Sequence, residues 1–165
     1  MGVSGCGKTT AARLLAARLG WEFQEGDELH PPTNVERMRA GTPLTDEDRW
    51  PWLHLVAAVV DGWLERGTSG VLTCSALKRS YREVIIGRRR NVRLVHIQGA
   101  AGLLSPRLAL RQGHYMPPSL LDSQLAALEP PGEDERPISL SAELPPEHIV
   151  AAIVAALARG DGTPG

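Results

Sequence analysis

The sequence predicts a three-layer α/β domain built on a parallel sheet, and three observations predict it. Short apolar runs of strand length alternate with longer helix-forming segments along the whole chain. The chain opens with a glycine-rich turn, Gly2-Val3-Ser4-Gly5-Cys6-Gly7-Lys8-Thr9, that fits G-x-x-x-x-G-K-[ST], a loop that normally joins a strand to a helix. At 165 residues, with 42% hydrophobic and 22% charged side chains, the chain has the size and composition of one globular domain. Residues 1–160 read as that single domain, with a Gly/Pro-rich tail at 161–165.

Each element follows from local signals. Thr9 to Leu19 is rich in strong helix formers and stops at Gly20. Trp21 to Gln24 alternates apolar and polar residues, the period of a strand, and ends at Gly26-Asp27. Thr33 to Ala40 reads as a short helix closed by Gly41. The acidic run Thr45 to Asp48 reads as the N-terminal cap of a long helix with Pro51 in its first turn. That helix carries Leu53, Val56, Ala57, Val60 and Leu64 on one stripe and ends near Gly67. Gly70 to Cys74 is apolar enough for a buried parallel strand. A helix over Leu77 to Ile86, a strand over Val92 to Ile97 and a helix over Leu103 to Arg111 follow. Ser119 is placed to cap a helix through Leu128; Ile138 to Ser141 is the fourth strand, and Pro146 to Arg159 the last helix.

The overall charge argues against some partners. Eighteen Lys and Arg stand against nineteen Asp and Glu, so there is no basic field to attract nucleic acid or an anionic membrane. The most apolar stretch, Leu53 to Val60, is far too short to span a bilayer. Two distant cysteines, Cys6 and Cys74, make neither a metal-ligand pattern nor a disulfide framework, which fits a reducing cytoplasm.

The phosphate loop carries the first chemistry. Its glycines let successive N–H groups, from Gly2 through Thr9 and Thr10, curl around a phosphate at the positive end of the following helix. Lys8 is placed to reach the β- and γ-phosphates of a nucleotide, and the Thr9 hydroxyl to ligate Mg²⁺. Glu25 and Asp27, at i and i+2 after the first predicted strand, form an acidic pair suited to a metal shell and an acceptor hydroxyl.

Taken together, "MGVSGCGKTT", "GDELHP", "GTPLTDEDRWPWL", "CSALKRSYR" and "RLALRQGHYMPPSLLDSQLAALEPP" resemble the gluconate kinases of the small P-loop type, relatives of shikimate and adenylate kinases. The likeness runs nearly end to end. It implies a P-loop kinase fold with a short lid at about 107–118, ATP-dependent phosphorylation of D-gluconate to 6-phosphogluconate, and a dimer. Carried over residue by residue, Asp27 becomes the base or orienter of the acceptor hydroxyl and Glu25 the Mg²⁺ partner. His30 is either a substrate contact or a loop cap, and Arg49 either the carboxylate clamp or a surface ion pair. Lys78 and Arg82, at i and i+4, would share a helix face turned toward substrate or water. Arg107 and Arg111 share the same spacing, either as exposed arginines or as lid groups on the ATP phosphates. His114 and Gln124 are further candidates at the lid and substrate edge. Other readings are a kinase for shikimate, another sugar acid or a nucleoside, and a nucleotide-binding regulatory module without transferase activity.

The chain departs from the family pattern at three points. Glu25 stands where Asp is usual, and Cys6 where Ser is usual, which raises the expectation of an oxidisable loop thiol. The apolar strand that runs into the loop in the relatives is missing. The expectation is either a chain that begins upstream of Met1 or a domain with two exposed sheet edges.

Overall fold

The computed structural model describes residues 1–109 and 120–160. Seven α-helices lie among them: α1 (Lys8–Leu19), α2 (Pro32–Arg39), α3 (Asp46–Arg66), α4 (Arg79–Ile85), α5 (Ala101–Ala109), α6 (Leu121–Ala127) and α7 (Pro146–Arg159). The strands are β1 (Glu22–Glu25), β2 (Gly70–Thr73), β3 (Val95–Gln98) and β4 (Ile138–Ser141). β1 pairs parallel with β2, from Glu22 opposite Gly70 to Glu25 opposite Thr73. β3 pairs parallel with β4, from Val95 opposite Ile138 to Gln98 opposite Ser141.

The two strand pairs are not joined by a fifth strand but by the first two residues of the chain. The Met1 amino group donates to Val95 O, and Met1 O accepts from Ile97 N at 3.0 Å, which continues a parallel ladder along β3. On the other side Gly2 N donates to Ser75 O at 3.2 Å, just beyond β2. A cavity of about 690 Å³ is lined by Met1 together with residues of β2 and β3, among them Val71, Leu72 and Val95. Met1 thus takes a ladder position beside β3.

Helices cover both faces. Ala11 and Leu15 of α1 pack with Ile149, Val150 and Ile153 of α7 against Val71, Val95 and Ile97. On the opposite face Trp52, Leu53, Val56 and Val60 of α3 pack with Tyr81 and Ile85 of α4 against Leu72 and Cys74. The alternation of Val71 and Leu72 between the two cores is the period of a strand buried on both sides.

Local chemistry sets most boundaries. Thr45 accepts from Asp48 N while Asp48 Oδ2 accepts from Thr45 N at 2.9 Å, a complete capping box for α3. Gly20, Gly67 and Gly160 end α1, α3 and α7 in the left-handed conformation. Three expectations shift. Pro51 lies at the sixth residue of α3, a turn deeper than expected. β3 begins at Val95 rather than Val92. The helix expected from Leu77 begins only at Arg79, because the chain from Cys74 to Lys78 is an irregular connection with Ala76 at φ 45°. The expected Ser119 cap lies outside the described residues.

Burial of ionisable groups makes this fold sensitive to acid. Desolvation lowers the Met1 amino group from 8.0 to about 6, and lowers His30 and His96 from 6.5 to about 4. Each group has a lower pKa folded than unfolded, so the unfolded chain binds the extra proton and stability is lost as pH falls. The Met1 contribution is lost between pH 8 and 6, and the histidine contributions between pH 6.5 and 4. Within its window each group contributes about 1.4 kcal/mol per pH unit. Urea midpoints measured from pH 8.5 to 4.5 should fall in these two stages, and N-terminal acetylation should flatten the upper one.

Candidate active site

The phosphate loop, residues 2–9, leaves the Met1 junction and enters α1. Gly2, Gly5 and Gly7 all have positive φ, at 139°, 84° and 92°. Gly2 is fixed by both conformation and space, since a Cβ there would lie 2.3 Å from Ile97 O. The Gly7 φ turns the chain into the first turn of α1, so the free N–H groups of that turn and the helix dipole face one point. Lys8 Nζ rests on Val3 O at 3.0 Å, a neutral partner that a phosphate would outcompete. This donor set fits a nucleotide phosphate. Thr9 is partly exposed in that same turn and Thr10 is exposed.

Cys6 is 1% exposed, with its sulfur 4.0 Å from Lys8 Nζ. That burial removes the access an oxidant needs, so the expectation of an oxidisable loop thiol is corrected.

The acidic pair stands at the end of β1. Thr73, the last residue of β2, donates its hydroxyl to Glu25 Oε1 and accepts from Gly26 N at 3.3 Å. This pins the Glu25 carboxylate at the carboxyl edge of the sheet, where ligands of open α/β sheets bind. Gly26 has no alternative residue, because a Cβ there would meet Thr73 O at 2.0 Å. The chain then makes a 3₁₀ turn, Gly26–Leu29, which carries Asp27 and leads to His30. The His30 ring stacks on Trp52 at 4.0 Å and 16°, while Trp52 Nε1 donates to Gly26 O at 2.8 Å. His30 Nδ1 is buried without a hydrogen-bond partner. Desolvation holds the ring neutral; Asp27 opposes that shift and Arg49 reinforces it, so all three groups lie within one electrostatic neighbourhood.

A basic cluster forms around Asp46. Lys78 Nζ donates to both Asp46 oxygens at 2.9 and 2.7 Å, and Tyr81 Oη to Asp46 Oδ1 at 2.5 Å. Arg49 Nη1 donates to Leu44 O at 2.5 Å and lies 3.9 Å from Asp46. The hydrogen bond from Lys78, then that from Tyr81, holds the Asp46 carboxyl below its usual range. Arg49 and Lys78 thus bring two partly exposed cations together, although they lie 29 positions apart in the chain.

The expectation for Arg82 is corrected. Lys78 is the N-cap of α4, not a residue of it, so the two do not share a helix face. Arg82 is 2% exposed and forms a bidentate pair with Glu135 at 2.5 and 2.8 Å. Its Nη1 also donates to Ala76 O, Leu77 O and Glu129 O. It is a latch that holds the irregular connection before α4 to the loop after α6, with no surface left for a substrate.

Two further residues sit elsewhere than expected. The Gln124 side chain accepts from Ser4 N at 2.7 Å, tying α6 to the phosphate loop. Arg107 Nη1 donates to Ala142 O at 2.8 Å, tying α5 to the turn after β4. Arg111 and His114 lie outside the described residues. Sequence reasoning missed Thr73, Trp52, Asp46 and Tyr81. Their signals were the residue type at the end of "GVLT" and the aromatic Trp-Pro-Trp run. Among the described residues no group of three or more His, Cys, Asp or Glu is placed to hold a metal.

Comparison with known proteins bears on this site. No protein-family model matches the chain. A gluconokinase of Gluconobacter oxydans is 54% identical over 154 residues, covering 93% of this chain and 86% of that protein. The chain belongs to the gluconokinase family. The thermoresistant gluconokinase of Escherichia coli is 34% identical over 97% of this chain and 92% of its own. Among solved structures, a sugar kinase from Janibacter superposes with a TM-score of 0.90 at 46% identity, covering 96% of this chain and 91% of its own. A gluconokinase from Sinorhizobium meliloti superposes with a TM-score of 0.83 at 41% identity, covering 98% and 90%. The P-loop kinase fold read from the sequence is therefore the fold of this chain.

The Arg82 latch yields a direct test. Arg82→Ala would leave the Glu135 carboxylate and three carbonyls without their donor, at a cost of about 3–5 kcal/mol. Chemical denaturation should register that loss, and Arg82→Lys, which lacks the bidentate fork, should recover only part of it.

Proposed function

We propose that this gluconokinase-family chain transfers the γ-phosphoryl group of ATP to D-gluconate, giving 6-phospho-D-gluconate. The observation that carries the reading is that His30 lies within the field of both Asp27 and Arg49, and that Arg49 and Lys78 gather on Asp46. The gluconokinase names of its relatives fit the acceptor.

Each residue is assigned what its chemistry suits. The N–H groups of Gly7, Lys8, Thr9 and Thr10 and the Lys8 ammonium hold the phosphates and stabilise their charge, whereas the Gly2 and Ser4 N–H groups, expected to do the same, are engaged by Ser75 O and Gln124 Oε1. Thr9 would supply Mg²⁺ with a hydroxyl ligand, and Glu25, held by Thr73, would accept from a metal-bound water. The ion's chemistry is charge neutralisation between the phosphates. Asp27 orients the acceptor hydroxyl and takes its proton. The neutral His30 ring, braced on Trp52, is available to an acceptor hydroxyl. Arg49 and Lys78 meet the acceptor carboxylate, exchanging their present oxygen partners for it. Arg111 and His114 are assigned to the lid side of the nucleotide, Arg107 to tying α5 to the turn after β4, and Gln124 to holding the loop rather than to direct acceptor contact. The cytoplasm and a homodimer remain the expected setting.

A panel of gluconate, shikimate, other sugar acids and nucleosides, assayed with ATP and Mg²⁺ for ADP release, tests the acceptor. Gluconate should lead, and preference for another member would replace it. Asp27→Asn should lower kcat about 10²–10⁴-fold with ATP affinity nearly unchanged; undiminished transfer would remove Asp27 from its role. Lys78→Ala should instead raise the gluconate KM more than it lowers kcat.

A further inference from the structure

We propose, on the assignment of Lys78 and Arg49 to the acceptor carboxylate, that Asp46 is an internal competitor for that carboxylate. It is a resident anion that engages the two cations until a sugar acid replaces it, and so it sets the affinity for the acceptor. Lys78 Nζ directs two of its three N–H donors at Asp46, at 2.9 and 2.7 Å. Asp46 Oδ1 also lies 3.9 Å from Arg49 Nη1, so one carboxylate faces both cations. The hydrogen bonds from Lys78 and Tyr81 hold the Asp46 carboxyl below its usual range, which keeps this competitor fully charged at neutral pH. An acceptor carboxylate drawn to the same two cations therefore meets a group of its own kind and charge.

The surroundings make this contact exchangeable. The Lys78, Arg49 and Asp46 side chains are 30%, 20% and 35% exposed, so a ligand can reach them and water weakens their attraction. The Arg82–Glu135 pair nearby, at 2% and 14%, is closed to both. Tyr81 is buried, and its hydroxyl donates to Asp46 Oδ1 at 2.5 Å, so Asp46 keeps a donor when Lys78 leaves it. The Tyr81 ring also lies beneath both cations, 5.8 Å from Arg49 Cζ and 5.6 Å from Lys78 Nζ. Cation–π attraction at that range holds the two groups in place while their oxygen partner changes. The acceptor carboxylate is not the group that reacts, so its contacts are alike in the ground and transition states. Asp46 accordingly acts on the acceptor KM more than on kcat.

The test titrates D-gluconate calorimetrically into the parent chain, Asp46→Asn and Lys78→Ala, and measures the gluconate KM of each at saturating ATP. Asparagine keeps the shape and one oxygen acceptor but removes the charge, and the Thr45–Asp48 capping box still starts α3. Asp46→Asn should tighten the gluconate Kd about three- to fivefold, the scale of a partly exposed ion pair, and lower KM in parallel. Lys78→Ala should weaken both. A Kd that weakens in Asp46→Asn as well would overturn the proposal and make Asp46 a residue that positions Lys78. An unchanged Kd in Asp46→Asn would overturn it too. No gluconate binding by the parent chain, or an unchanged Kd in Lys78→Ala, would remove the acceptor assignment itself and the competitor with it.

Discussion

The arrangement of the active site depends on two backbone residues. Met1 and Gly2 hang the phosphate loop between two strand pairs, with β3 holding Met1 through Val95 and Ile97, and Ser75 holding Gly2. Every other part of the cleft is measured from that point. α1 leaves the loop at Gly7 and packs back on α7 and β2, and the β1 and β2 ends bring Glu25 and Thr73 to the same sheet edge. The packing of α1 and α7 on one face and of α3 and α4 on the other also joins the strand pairs.

The site itself is a contrast between groups that are held and groups that can change partner. Trp52 is locked by its bond to Gly26 O and braces His30, while Thr73 fixes Glu25. Lys8, Arg49 and Lys78 rest on carbonyls or a half-exposed carboxylate, partners of modest strength that an anion can displace. Arg82 belongs to the first group despite its charge, because its five-bond network is buried and complete. Gln124 and Arg107 bind the helices flanking residues 110–119 to the phosphate loop and to the β4 edge.

How much of this was legible in the sequence follows from the range of each interaction. The phosphate loop was legible because its function is local: glycine conformations, N–H groups and one lysine within eight residues. Helix ends were legible for the same reason, with the Thr45–Asp48 capping box and the glycines at 20, 67 and 160 acting within a turn. The Lys78–Arg82 pair misled because i, i+4 spacing implies a shared face only inside a helix, and the positive φ at Ala76 delays α4 past Lys78. Asp46 read as a cap residue, since nothing local signals a lysine 32 positions away.

The sequence by itself determined the alternation of strands and helices, the phosphate loop, the acidic turn and the family, because each is written in short spans of residues. Tertiary structure alone decided which polar side chains serve the cleft and which serve the scaffold. Arg82 and Lys78 are both cations in one short segment, yet one meets Glu135 inside the protein and the other Asp46 at its edge. That sorting depends on burial and on partners 32 to 120 positions distant, which only the packed chain brings within hydrogen-bonding range.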